Sequence, residues 1–377
     1  MVEYAKYELK NVCSRLSSGK SISSKMISEE GRYPVYGGNG LRGYTDHSNF
    51  SGDCAIIGRQ GAFCGNVRYF CGEAYMTEHA VIVCANNLNN THYLAYLLST
   101  MNLGRLSGQS AQPGLSVKTL GIQEIMLPSI EYQNKVVALL SSLDEKIAVN
   151  NNINDNLQQQ AAAIFRSWFV DCAPFGGKAP DEWENVTLED ITALVSRGIT
   201  PKYADDTDQI VINQKCIRNH TIDLSLARTH TPKIINEKWL RFGDLLINST
   251  GDGTLGRAAQ VWFQPKNLTV DSHVTIARPA KENLIFYIGL WGILHEKEIE
   301  SLHTGSTGQT ELPRDRVKAM ELLLPDNETL DRFNGLITPM AAAIVANQEE
   351  NNRLAALRDA ILPKLMSGEI DVTDIQL

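Results

Sequence analysis

The sequence predicts an α+β fold: two similar mixed α/β domains separated by two long antiparallel coiled-coil helices, with internal pseudo-two-fold symmetry. Two observations carry this. Reading every fourth and third residue in alternation, Val136, Leu140, Leu143, Ile147, Asn150, Asn154, Leu157, Ala161, Ile164 and Trp168 form an unbroken heptad seam. At an offset of 197 the seam returns as Phe333, Ile337, Met340, Ile344, Asn347, Asn351, Leu354, Arg358, Ile361 and Leu365, so the chain is a duplication.

Each seam has the same polar break. Asn150 and Asn154 lie at the centre of the first and Asn347 and Asn351 at the centre of the second. Antiparallel pairing about that midpoint stacks the four amides on one another, whereas a large slip buries each against an aliphatic side chain. The amides therefore set register, and helices of this length serve as spacers. Arg358 stands where the first seam has Ala161 and is the one departure from an otherwise matched pattern.

The segments around the helices follow in order. Residues 1–128 form a first head domain, 129–172 the central spacer helix, 173–180 a linker carrying the breaker Pro174-Phe175-Gly176-Gly177. Residues 181–325 form a second head, 326–368 the C-terminal spacer helix and 369–377 an acidic tail. Short apolar runs such as Cys54-Ala55-Ile56-Ile57 and His79-Ala80-Val81-Ile82-Val83, bounded by Gly, Asn and Asp, read as strands. His92–Leu103 reads as a helix. Leu9 and Gly19 match Leu188 and Gly198 at an offset of 179, His79 matches His273 at 194, and Gly108, Gln112 and Leu115 match Gly305, Gln309 and Leu312 at 197. The offset drifts inside the heads and settles at the helices, so loop length varies only in the heads.

Composition narrows the function. The 377 residues are 43% hydrophobic and 21% charged, which suits a protein with two or three cores. Seven cysteines without a Cys-x-x-Cys pair argue against a disulfide framework and a structural zinc site, and point to a reducing cytoplasm. The start lacks the features of a signal peptide, and the longest apolar run, Leu284–Leu294, is too short to span a bilayer, so no membrane partner is expected. The formal charge of -8 counts against a freestanding nucleic-acid binder. The first 130 residues nevertheless carry 11 Lys and Arg against 9 Asp and Glu, so a DNA-facing surface would be a local patch or be completed by partners.

Several loops carry chemistry. Ser18-Gly19-Lys20-Ser21 ends like a phosphate-binding loop, but Ser14 stands where that motif needs its first Gly, which leaves a Gly-bearing turn. His79 and His273 recur at strand starts; without a second recurring ligand they read as hydrogen-bonded histidines inside each head rather than as catalytic or metal-binding groups. The loop Tyr36 to Tyr44, with Tyr36, Asn39 and Arg42, can bring backbone to phosphate and offer Asn or Arg to base edges, or simply turn on its glycines. Arg59 and Gln60 in one head and Asn248, Ser249 and Thr250 in the other occupy equivalent points after a strand. Unlike polar side chains there suit two heads reading different sequences. Ser110 and Gln112, with Ser306, Thr307 and Gln309, make a third matched polar loop, suited to phosphate positioning or base reading. These are the candidate DNA-binding residues. The candidate spacer-packing residues are Leu140, Leu143, Ile147, Asn150, Asn154, Leu157 and Ile164 with Ile337, Met340, Ile344, Asn347, Asn351, Leu354 and Ile361. No nucleotide-cofactor loop, zinc helix, nucleophile elbow or recurring carboxylate pair is present, which argues against catalysis by this chain.

Tyr33-Pro34-Val35-Tyr36-Gly37-Gly38-Asn39-Gly40, Ile56-Ile57-Gly58-Arg59-Gln60-Gly61, Gly305-Ser306-Thr307-Gly308-Gln309-Thr310-Glu311-Leu312-Pro313, Leu143-Asp144-Glu145-Lys146-Ile147 and Ala163-Ile164-Phe165-Arg166-Ser167-Trp168-Phe169 resemble the specificity subunit of type I restriction-modification systems. The resemblance covers nearly the whole chain. It implies two target-recognition domains, each reading half of a split, asymmetric site on double-stranded DNA, and spacer helices that fix the gap. It also implies two methyltransferase (modification) subunits that use S-adenosylmethionine for adenine-N6 methylation, and restriction/motor subunits that use ATP and Mg, with no cofactor held by this chain. A non-DNA interaction scaffold with duplicated heads on a helical stalk is the alternative.

Overall fold

The computed structural model describes residues 2–107, 114–251, 253–305 and 310–375. The chain divides into two compact units, Met1–Ala148 with Asn351–Leu377, and Val149–Glu350.

In the first unit the apolar runs form a six-stranded sheet in the order Cys13–Ser18, Ala80–Ala85, Phe50–Gly58, Val67–Met76, Tyr33–Gly37, Gly40–Thr45. All neighbours are antiparallel except Tyr33–Gly37 with Val67–Met76. Strand period sorts the side chains: Cys54 and Ile56 join Phe50, Ala74 and Met76 on one face, Ala55 and Ile57 the larger core on the other. That larger core is closed by the helix Thr91–Ser99, capped by Asn90 accepting from the Tyr93 N–H at 3.0 Å, and by segments of both long helices. Tyr132, Val136 and Leu140 come from the helix Ile130–Phe169, and Leu365 and Met366 from the helix Asn327–Ser367. Residues near the start of one helix thus meet residues near the end of the other.

The second unit repeats this plan with a broken sheet. Thr192–Arg197, Val274–Pro279, Leu245–Asn248 and Ala258–Gln260 form a four-stranded antiparallel sheet. Ile210–Ile212 pairs parallel with Leu268–Val270, as Tyr33–Gly37 does with the last residues of Val67–Met76. Where the first unit has one ten-residue strand, the second has two short ones, Ala258–Gln260 and Leu268–Val270. The run Leu284–Leu294 becomes the helix Ile285–Leu294, almost wholly buried against Leu245, Ile247, Phe165, Phe333 and Ile337. Among the described residues no helix is long and apolar enough to cross a membrane.

Gly19 and Gly198 are both fixed by sterics. A Cβ on Gly19 would lie 2.1 Å from the Met76 carbonyl oxygen, and one on Gly198 2.0 Å from that of Val270. The backbone N–H groups of Lys20 and Ile199 donate to those same carbonyls at 2.9 Å.

Along the seams, Leu140, Asn150, Asn154, Ile337 and Ile344 are buried, while Leu143, Ile147, Leu157, Ile164, Met340, Asn347, Asn351, Leu354 and Ile361 are half-buried. In the second unit the Asn347 amide donates to the Asn154 carbonyl oxygen at 2.8 Å, and the Asn150 amide to Glu350 at 2.7 Å. The Asn154–Asn347 amide pair of the polar break therefore forms, and Asn150 also meets a carboxylate that the seam pattern did not include. In the first unit Arg358 is held by Asp144 at 2.6 Å, which is how a cation sits at a seam position.

Candidate nucleic-acid interface

In the first unit the strand Phe50–Gly58 runs out into Arg59 and Gln60, which are pinned by backbone. The Arg59 N–H donates to the His79 carbonyl at 3.0 Å, and the Leu115 N–H to the Arg59 carbonyl at 2.8 Å. The second unit uses the same frame. The Ser249 N–H donates to the His273 carbonyl and the Leu312 N–H to the Ser249 carbonyl, both at 2.8 Å. Isolated bridges Gln60↔Gly114 and Thr250↔Glu311 complete the match. Positions 59 and 249, 60 and 250, and 79 and 273 are structural equivalents.

Against this loop the first unit lays the hairpin of Tyr33–Gly37 and Gly40–Thr45. A Cβ on Gly38 would stand 2.8 Å from the His79 carbonyl oxygen and 3.3 Å from the Arg59 nitrogen, so only glycine allows the hairpin this close. Tyr36, Asn39, Arg42, Arg59 and Gln60 are thereby gathered in one place. Asn39, Arg42 and Gln60 are exposed; Arg59 is half-buried, its Nη1 3.4 Å from the Ser18 hydroxyl. Tyr36 is also half-buried, its ring 5.0 Å from that of Phe70, and burial pushes its phenol above the ordinary range. Arg68 completes the group, its Nη1 2.9 Å from where a Cβ on Gly40 would be. Among the described residues none of Arg42, Arg59 and Arg68 meets a carboxylate at salt-bridge distance. The patch is a cluster of uncompensated guanidinium groups on a chain of net negative charge, suited to phosphate or base edges.

The second unit differs in its side chains. Thr250 is half-buried, its hydroxyl donating to the Gln214 side-chain oxygen at 3.1 Å. Asn248 and Ser249, expected among the reading residues, are both 0% exposed, and this corrects that expectation. Asn248 ends a central strand, and its amide donates to the Gln214 carbonyl at 3.1 Å; the Ser249 hydroxyl shares a hydrogen bond with that of Thr275 at 2.6 Å. The equivalent of Asn248 in the first unit is Gly58, which has no side chain to offer either. Arg197, unlike the arginines of the first unit, is held by Glu311 at 2.5 Å and by the Leu312 carbonyl at 2.8 Å. Ser110, Gln112, Ser306, Thr307 and Gln309 lie outside the described residues.

Sequence reasoning missed Arg68 and Gln214, which strand pairing and loop packing bring in and no local pattern marks. It also misplaced the two histidines. His79 and His273 are not inside the heads but at the surface, and each ring touches the candidate loop: Nδ1 of His79 is 3.0 Å from the Gln60 amide oxygen, and Nδ1 of His273 2.8 Å from the Thr250 hydroxyl. Their recurrence was the available signal. Among the described residues no three His, Cys, Asp or Glu side chains are placed to hold a metal ion.

One backbone frame is thus built twice, with unlike polar side chains on each copy. Residues 1–159 match the family model for the type I restriction modification DNA specificity domain. The chain is 40% identical over 134 residues, 34% of its length, to the type I restriction enzyme EcoprrI specificity subunit of Escherichia coli, spanning only 33% of that relative. It is 27% identical over 316 residues, 76% of its length and 70% of the relative's, to the MjaIX specificity subunit of Methanocaldococcus jannaschii. A crystal structure of the type I restriction-modification S subunit from M. genitalium shares the fold at 16% identity, with a TM-score of 0.61 over 97% of this chain and 96% of that one. Over its first 159 residues, and more distantly over most of its length, the chain is thus similar to type I restriction-modification specificity subunits.

Proposed function

We propose that this chain is the DNA sequence-specificity subunit of a type I restriction-modification enzyme, each head reading one half of a bipartite, asymmetric site. The two long helices set the gap and dock two methyltransferase subunits. Catalysis lies with those partners: S-adenosylmethionine on the methyltransferases, ATP and Mg on the restriction/motor subunits of a cytoplasmic complex. The observation that carries this reading is the repeated loop frame, which presents Gln60 in one unit and Thr250 in the other on matching backbone hydrogen bonds. A shared frame with unlike readers suits two different half-sites. The net charge of -8 supports weak binding by the chain alone, with affinity completed by partners.

The test is modified-base sequencing of host DNA with and without this gene. Loss of an N6-methyladenine motif made of two short elements around a fixed gap is the expected result, and lengthening both helices near Asn150 should change the gap alone. An unchanged methylome, with no methyltransferase co-purifying, would favour the non-DNA scaffold.

A further inference from the structure

The two surface histidines are the repeated feature that the specificity reading leaves unused. Their chemistry follows from their partners. The Gln60 amide oxygen 3.0 Å from His79 Nδ1 can only accept, so Nδ1–H donates to it. The Thr250 hydroxyl spends its one hydrogen on the Gln214 oxygen at 3.1 Å, so toward His273 Nδ1, at 2.8 Å, it accepts. In both heads the same ring nitrogen of the equivalent histidine donates to the equivalent loop residue, although the loop residue differs. In the first head the Glu78 carboxylate lies 3.3 Å from His79 Nε2.

We infer that His79 and His273 are specificity-positioning residues, each committing one acceptor of the loop side chain beside it and so deciding what that side chain offers to a base. The inference rests on the specificity reading above. With one lone pair of its oxygen held by His79, Gln60 is fixed in one amide orientation, presenting its N–H donors on one side and a single remaining oxygen lone pair on the other. Which base edge Gln60 can pair is set by that orientation. Thr250, its hydrogen committed to Gln214 and one lone pair to His273, presents an acceptor, which suits the exocyclic amine of cytosine or adenine. The histidine backbone carbonyls, which hold Arg59 and Ser249, are untouched by side-chain substitution, so the loop frame survives His→Ala.

The test uses the full chain with its methyltransferase partners in cells, read by modified-base sequencing. His79→Ala, which frees the Gln60 amide to turn over, should broaden one base position of one half-site, raising methylation at sites with a different base there about tenfold or more, while the other half and the gap stay unchanged. His79→Asn, which keeps an N–H donor, should restore the parent motif. His273→Ala should broaden one position of the other half-site. Unchanged motifs in both alanine variants would overturn the inference, and so would a lower thermal midpoint with methylation reduced equally at all sites, because that marks a merely structural contact. A Gln60→Ala motif identical to the parent's would also overturn it. If the unmodified chain directs no bipartite motif, the specificity reading itself fails, an outcome separate from any of these.

Discussion

At one level of the helix pair the two units carry opposite chemistry. In the first, Arg358 is bound by Asp144 at 2.6 Å, and the Tyr96 hydroxyl donates to the other oxygen of that carboxylate at 2.5 Å. The equivalents in the second unit are Ala161, Ala341 and Leu290, exposed by 0%, 2% and 4% and part of one apolar cluster. Three positions on three helical segments differ together. The difference teaches that a duplicated backbone tolerates a charge at this level only as a complete set: a lone carboxylate or guanidinium would be desolvated without a partner, whereas either complete trio is satisfied. Burial and the coupling to Asp144 also push the Tyr96 phenol well above its ordinary range, so it stays a donor at any working pH.

The sharpest way to break the comparison is to move one member alone. Ala341→Asp places an unpaired carboxylate in the second unit's core and should cost about 3–5 kcal/mol in urea unfolding. Adding Ala161→Arg and Leu290→Tyr should recover part of that loss; no recovery would show that the trio depends on its surroundings rather than on itself. The reverse exchange is milder. Asp144 and Arg358 keep about a third of their side-chain surface, so water screens the pair. Asp144→Ala and Arg358→Ala should each cost about 1 kcal/mol, and the double variant clearly less than their sum. Strict additivity would reduce the pair to two independent surface groups.

How much of this was legible depends on the range of the interaction. The seams, the duplication and the breaker at Pro174 follow from local periodicity and could be read residue by residue. The Arg358 departure was visible, but its answer was not, because Asp144 and Tyr96 are brought to it only by folding. The loop after each central strand was found by its matched position. Which of its residues face outward was not found: Asn248 and Ser249 share composition with a reading loop, and only the sheet register shows their side chains consumed inside. The histidines failed for the opposite reason, since a polar residue beside an apolar strand looks internal, and only the fold shows its ring reaching outward to the loop beside it. Arg68 had no signal at all; in sequence it is one more polar residue of an alternating strand.

The smallest contrast lies at the starts of the two long helices, which follow equivalent residues, Ser129 and Asp326. Both act as N-caps, satisfying an N–H that the first turn leaves without an intrahelical partner. Ser129 does so weakly, its hydroxyl 3.4 Å from the Tyr132 nitrogen. Asp326 accepts from the Thr329 N–H at 2.9 Å and the Thr329 hydroxyl at 2.7 Å, and those bonds, the backbone one first, hold its carboxyl below the ordinary 3.8. Asp326→Ala should therefore cost about 1 kcal/mol at neutral pH and Ser129→Ala about half that. A carboxyl with a depressed folded-state value contributes fully above its unfolded value and loses the contribution as pH falls through the folded one. The gap between the parent and Asp326→Ala should accordingly close in acid while that of Ser129→Ala stays constant, both read from urea midpoints at about pH 7 and about pH 3 and below. An Asp326→Ala deficit that persists undiminished after the carboxyl has titrated would assign the stabilisation to the Trp183 N–H bond at 3.3 Å and to packing, not to the charge at the helix start.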